Sequence, residues 1–332
     1  MLKLEKDAST RRPVRATLLG AIDDYKKSAD FLRLAVSTRG EYERILDEMA
    51  EDLADILLAD ITSGFVLDLR NKWARRGYRA ANLRLQVLKN VCHEPRIRAE
   101  VVGNPFELIE KVARPHELGE PNPYWEDREV QAVIDLAIAR KQPGLARAVA
   151  LGRWGGFRKQ TICAIPVGAR IKRPTPKGEE TRLKWVTQKR KVLCDRREDP
   201  RLSRLIETTP SRSIHIAYNA YGEPWKPRSL SQALDRLIED LAKVDDEERP
   251  GAKKVRPDLT IHGLRHSRGV ELARTGASDA EIMAQLDQTS ARAAAIYRRQ
   301  VERERLADAS QDRIDAEVVR MEAQKSQGRT GE

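Results

Sequence analysis

His262 and Arg265 stand three residues apart in the run IHGLRHS. At that spacing on a helix, an imidazole and a guanidinium project from nearly the same face and could meet one anion together. Arg158, in GGFRKQ, supplies a second planar fork. Two guanidiniums can each take non-bridging oxygens of one phosphate, a geometry that a lysine ammonium, a point charge, cannot match. The glycines before Arg158 would let the backbone approach a polyanion or begin a helix. Lys189, in WVTQKRKVLCD, is a flexible ammonium able to reach a leaving oxygen and protonate it. Arg190 and Lys191 rival it for that role, and a basic hairpin that only touches backbone phosphates is the plainer reading. His262, with an ordinary pKa of ~6.5, could accept a proton or donate a hydrogen bond to a phosphoryl oxygen. Tyr297, in AAAIYRR, is the candidate nucleophile. A phenol of pKa ~10 attacks phosphorus only in a positive environment or beside a base, and two arginines, a lysine and a histidine would provide one. Its bland alternative is a partly buried aromatic. His266 lies four residues after His262, half of a helical zinc spacing, but no glutamate stands between them and Arg265 would repel a cation. No metal is expected there, and His266 reads as a packed or hydrogen-bonded side chain.

Several elements must position these groups. Residues 1 to 15 are polar and basic, with no hydrophobic period, and read as a flexible arm. Residues 16 to 113 are helix-like, with apolar positions recurring at three and four in LLGAIDDYKKS, STRGEYERILDEMAEDLADILL, SGFVLDLRNKWARRG, YRAANLRLQVLKNVCHEP and NPFELIEKV. Four or five helices are expected. Residues 114 to 127, rich in proline and glycine, read as a linker. Residues 128 to 300 then form a mixed α/β domain. Within it TICAIPVGARI, RLKWVTQK and KVLCD, with a turn at PTPKGEE, predict a small antiparallel sheet. Residues 301 to 332 read as a charged C-terminal helix and tail. The fold class is therefore mainly α with a small antiparallel sheet.

Lysine and arginine outnumber aspartate and glutamate by 62 to 51, a net charge of +11 in 332 residues, which favours a polyanionic partner. The hydrophobic share of 40% suits globular domains, and the length suits two. Cys92, Cys163 and Cys194 are scattered and show neither zinc nor disulfide spacing, so a reducing compartment is expected. The first residues lack the apolar core of a signal peptide, and no run approaches the ~20 apolar residues of a membrane span. The expectation is a cytoplasmic protein with no membrane contact, associated with the nucleoid if bacterial.

Arg158, Lys189, His262, Arg265 and Tyr297, in this order, resemble the Arg, Lys, His-x-x-Arg, Tyr set of the tyrosine recombinases, or phage integrase family. The stretch GVELARTGASDAEIMAQLDQTSARAAAIY is similar to the family segment in which Leu-Gly-His precedes the nucleophilic tyrosine by nine residues, which puts Gln288 at the histidine position. AANLRLQVLKNVCHEPRIRAEVVGNPFELI looks like the last helices of the family's core-binding domain. The likeness covers roughly residues 16 to 300. It implies a helical core-binding domain and an α/β catalytic domain clamped around double-stranded DNA. Tyr297 would form a 3′-phosphotyrosine, Arg158 and Arg265 would stabilise the phosphorane, Lys189 would protonate the leaving oxygen, and His262 would manage the nucleophile's proton with Gln288 in support. Neither metal nor other cofactor is implied. Four protomers would complete an exchange, with a DNA-bending accessory protein as a possible partner.

The sequence departs from the family at Leu286-Asp287-Gln288, which replaces Leu-Gly-His, and at Thr161, where many members carry glutamate. A glutamine donates a hydrogen bond but carries no proton at neutral pH. Two alternatives therefore stand beside recombination: a catalytically weak or inactive DNA-binding protein on the same scaffold, and supercoil relaxation of the type IB topoisomerase kind.

Overall fold

The computed structural model describes residues 17–119, 121–186 and 193–328, without the side chains of Arg96, Gln300 and residues 322–328. The basic arm at residues 1 to 15 and Lys189, with its rivals Arg190 and Lys191, lie outside the described residues. The chain divides into two compact units, Met1–Gly119 and Glu120–Glu332.

In the first unit, α1 (Leu18–Lys26), α2 (Val36–Leu53), α3 (Ser63–Ala74) and α4 (Tyr78–Cys92) surround one apolar core that includes Leu18, Ile22, Ile45, Leu46, Val66 and Leu88. Side-chain oxygens start two of them: Thr17 accepts from the Gly20 N–H, and Thr62 accepts from the Phe65 N–H. The expected helix over NPFELIEKV does not form; residues 105–108 are turns and the chain then runs on irregularly. Asn82 supplies the physical reason. Its amide donates to the Val112 carbonyl and accepts from the Val112 N–H, at 2.9 and 2.8 Å, holding that backbone from outside a helix. Phe106 still fills the core, so the apolar spacing served packing without a helix.

The second unit is built around α6 (Pro143–Arg153), which is buried at every position after Pro143. It is mostly apolar, and its two arginines, Arg147 and Arg153, are buried with it, so the helix belongs inside the domain. Around it lie α5 (Asp127–Ala139), α7 (Pro200–Thr208), α8 (Pro227–Leu241) and α9 (Ile261–Arg274), followed by α10 (Asp279–Gln285) and α11 (Ala291–Gly328). Three antiparallel strands pair in sequence order, β1 (Arg170–Thr175), β2 (Gly178–Val186) and β3 (Leu193–Arg197). The sheet begins later than TICAIPVGARI predicts. Residues Lys159–Ile162 form one helical turn, and β1 starts only at Arg170. The β-branched run there serves burial of Thr161 and Ile162, not strand pairing.

Helix α11 continues without interruption from Ala291 to Gly328, and only its first turns reach a core, through Ala294, Tyr297 and Val301. Among the described residues no helix is long and apolar enough to cross a membrane. All three cysteines are buried free thiols, and burial pushes Cys92 up to about 12 and Cys163 and Cys194 up to about 11.

Candidate active site

The site is assembled from α9, the loop after α6, the turn after α10 and the start of α11. Thr260 opens α9 by accepting from the Gly263 N–H at 3.0 Å. Behind it the Trp125 indole donates to the Thr260 carbonyl and the Trp125 N–H to Ser267, at 2.9 and 2.8 Å. These contacts fix the roll of α9, so that His262, Arg265 and His266 face one cleft.

Arg265 is only 2% exposed, and its fork donates to two backbone carbonyls, those of Gly156 at 2.6 Å and Leu286. Arg158 caps the helical turn after α6, and its Nη1 donates to the Asp287 carbonyl at 3.1 Å. Residues 286–288 therefore hold both guanidiniums from one turn. Asp287 takes the left-handed conformation there, with φ +45°. Gln288 next reaches Tyr297, its Nε2 donating to the phenol oxygen at 3.4 Å, while its Oε1 is buried with no hydrogen-bond partner among the described residues.

Tyr297 sits in the second turn of α11 with its ring laid on α9 at Gly269. A Cβ at Gly269 would come within 2.7 Å of that ring, so the absence of a side chain is what lets the ring approach. The His266 ring also packs on it, 5.3 Å between centroids and tilted by 56°. Arg158, His262, Arg265, His266, Gln288 and Tyr297 thus line a single cleft of about 570 Å³, together with Asn122 and Ile296. A second cavity, of about 280 Å³ beside Pro143, Tyr218 and Trp225, contains none of these groups.

The cleft is electropositive, and its groups bear the mark of that. Burial first, and then the Arg158 charge, push the Arg265 pKa down to about 10, with Tyr297 and Asp287 pulling it back. It remains a cation at neutral pH. His262 is held below the ordinary histidine value by crowding of its ring first, and then by Arg265, His266, Arg158 and Lys159. Because His262 is still open to solvent on the cleft rim, its neighbours crowd it without sealing it from water. The imidazole is neutral near pH 7, with a lone pair able to take a proton.

No family model matches the chain, and no curated protein matches it. Solved structures do. A lambda integrase dimer bound to a COC′ core site superposes with a TM-score of 0.65 at 16% identity, over 88% of this chain and 82% of that one. The Tn1549 transposon integrase in complex with transposon right end DNA gives 0.66 at 14%, over 88% and 99%. A lambda integrase tetramer bound to a Holliday junction gives 0.63 at 16%, over 86% and 83%. The fold is that of the tyrosine recombinases.

Within that recombinase fold, Arg158, His262, Arg265, Gln288 and Tyr297 are brought together from positions spread over 140 residues of sequence, while Lys189 lies outside the described residues. Thr161, three residues after Arg158, is buried and lines no part of the cleft. Three kinds of residue escape sequence reasoning. Gly269 looks like any helical glycine. Asp287 and Arg196 look like solvated charges, yet both are buried and face each other. Glu271 looks like one more charge on α9, yet it binds Arg153, Arg201 and Arg268 behind the cleft. The one legible signal is the departure at Asp287 from the glycine of the resembled motif, since a left-handed backbone is what a glycine there would serve.

Proposed function

We propose that this chain is a site-specific tyrosine recombinase that cleaves and rejoins duplex DNA. The observation that carries the reading is the convergence of two guanidiniums, an imidazole, an amide and a phenol on one open, electropositive cleft. Arg158 and Arg265 hold the non-bridging oxygens of a scissile phosphate, preorganised by backbone carbonyls so that little rearrangement accompanies the developing charge. The Tyr297 oxygen attacks phosphorus. The bond to the 5′ oxygen breaks, leaving a 3′-phosphotyrosyl link. Neutral His262 takes the phenol proton and Lys189 gives one to the departing 5′ oxygen, so protons balance without a cofactor. Gln288 donates a hydrogen bond to the tyrosyl oxygen. A 5′-hydroxyl from a partner duplex reverses the step. The lambda integrase dimers and tetramer and the Tn1549 complex support duplex DNA as the substrate and a homo-oligomer, a tetramer during exchange, as the working form.

One observation favours a second reading. Gln288 carries no proton, which favours a slow enzyme or a DNA-binding protein that does not cut. The two are separated by incubating wild type and Tyr297→Phe with nicked duplexes from DNA flanking the gene, then quenching in detergent. A protein-linked DNA band in wild type, absent from the variant, is expected. Binding by both proteins with a link in neither would overturn the catalytic reading in favour of the DNA-binding scaffold. The variant should fold normally, because the phenol oxygen makes one long hydrogen bond, worth about 1 kcal/mol at most.

A further inference from the structure

Asp287 lies among three guanidiniums. Its carbonyl accepts from Arg158, the preceding carbonyl accepts from Arg265, and its carboxylate is 3.8 Å from Arg196 on β3. Its backbone is left-handed, a conformation that a residue with a side chain keeps only where its surroundings over-determine it. Leu286 anchors one side of the turn as a fully buried side chain, and the Gln288 N–H donates to the Met283 carbonyl at 2.9 Å on the other. Arg196 supplies the remaining constraint. Its guanidinium stacks on the Phe157 ring at 4.1 Å and donates to the Gly155 carbonyl at 2.6 Å. Phe157 stands between Gly156, whose carbonyl takes the other arm of Arg265, and Arg158. Arg196 therefore bridges the two backbone segments that grip the two cleft arginines.

The charges make the bridge conditional. Arg196 is 9% exposed in its side chain, and its Nη1 is buried without a hydrogen-bond partner among the described residues. Arg196 and Arg158 both repel Arg265, and Asp287 is the carboxylate that offsets them. Without that carboxylate, Arg196 would be a buried cation whose charge acts on Arg265 with no anion to offset it.

We infer that the Asp287–Arg196 ion pair is a positioning device that locks the turn whose carbonyls aim Arg158 and Arg265 into the cleft. Neither residue touches the reacting atoms. The inference rests on the recombinase reading for what the aimed arginines do, but not for the pairing itself.

A double-mutant cycle tests it. Asp287→Gly suits the left-handed backbone and removes the carboxylate; Arg196→Met removes the charge and keeps an apolar stem over Phe157. Each single variant should slow formation of the protein–DNA link on saturating nicked duplex by about 10- to 100-fold, with duplex affinity changed far less, because misaimed groups lose rate before binding. The double variant should be no slower than the worse single variant, since removing both charges leaves neither unpaired. Asp287→Asn, which keeps size and loses charge, should be as slow as Asp287→Gly. In parallel, nuclear magnetic resonance of arginine-labelled protein without DNA should show the Arg158 and Arg265 guanidinium signals displaced and exchanging faster in both single variants. Losses that multiply in the double variant, or single variants with wild-type rates and unmoved guanidinium signals, would overturn the pair. If wild type itself forms no link, the recombinase reading fails, and the guanidinium signals alone decide whether the pair positions the arginines.

Discussion

A single missing methyl group shapes the seat of Tyr297. The Tyr297 ring lies against Gly269 so closely that a Cβ would meet three of its atoms at 2.7 to 2.8 Å. Gly269→Ala brings two opposed effects: alanine favours a helix interior by about 1 kcal/mol, and overpacking against a buried ring costs about 1–3 kcal/mol. The steric effect should win. We expect a lower melting temperature, and a rate of link formation reduced at least roughly tenfold by displacement of the phenol oxygen. His262 sets a second expectation at this scale. Its pKa is lowered in the folded chain, so the neutral, proton-accepting form persists below the ordinary ~6.5. The acid limb of the cleavage rate should fall at a pH below that value, and His262→Gln should flatten it. The same shift adds stability that is present above the unfolded value and lost as pH falls through the folded one. His266 adds a reading that sequence alone left open: it packs on the tyrosine ring inside the cleft.

Helix α9 is held from behind as firmly as it is arranged in front. Glu271 on its rear face pairs with Arg153 at 3.0 Å, Arg268 at 2.7 Å and Arg201 at 3.1 Å, and Asp199 closes the network through Arg201 and Arg268. Burial works against the Glu271 charge, but Arg153 and Arg268 outweigh it and hold the carboxyl down at about 2. Its stabilising effect is therefore complete above the unfolded value of ~4.3 and disappears as pH falls through about 2. Glu271→Gln should destabilise the chain by about 2–3 kcal/mol, less than the ~3–5 of a fully buried broken pair, because Arg153 keeps Asp127 as a partner. Denaturant unfolding at pH 7 measures the loss, and acid unfolding of the variant should lack the contribution that wild type gives up between those two pH values. Helix α11 shows the opposite case. Beyond Val301 its apolar residues Leu306, Ile314, Val319 and Met321 are more than half exposed, so this part of the helix has no core of its own.

Over the whole molecule, a main core in each unit, a smaller cluster around Tyr297 and a net charge of +11 are the governing facts. A surplus of cations attracts duplex DNA whatever its sequence, chiefly through release of counterions. Contact with about 6 to 10 phosphates would weaken binding roughly 10³- to 10⁵-fold between about 50 and 200 mM salt. Measuring affinity for a duplex across that range checks this, and a flat response would mean that the positive groups are mostly neutralised within the protein. Internal ion pairs, such as Arg170 with Glu198 and Glu207, tie up some of the 62 cations but leave that surplus unchanged.

Sequence by itself determined the helical character of both units and the antiparallel pairing of the small sheet, because apolar spacing and turn residues are local properties. It also offered Arg158, His262, Arg265 and Tyr297 as candidates, through their spacing, their order and the family set they resemble, and the fold brings them to one cleft. It misread NPFELIEKV, where a side chain 30 residues earlier clamps the backbone, and TICAIPVGARI, where burial and strand pairing call for the same residues. Tertiary structure alone decided that a glycine makes room for the tyrosine, that Gln288 reaches it, that Asp287 and Arg196 are buried, and that half-buried Glu271 is ringed by arginines instead of solvated. The reason is physical: the meaning of a charge or a missing side chain depends on what lies within a few ångströms, and for Arg196 with Asp287, Arg153 with Glu271 and Gly156 with Arg265 those neighbours are some 90 to 120 residues apart along the chain.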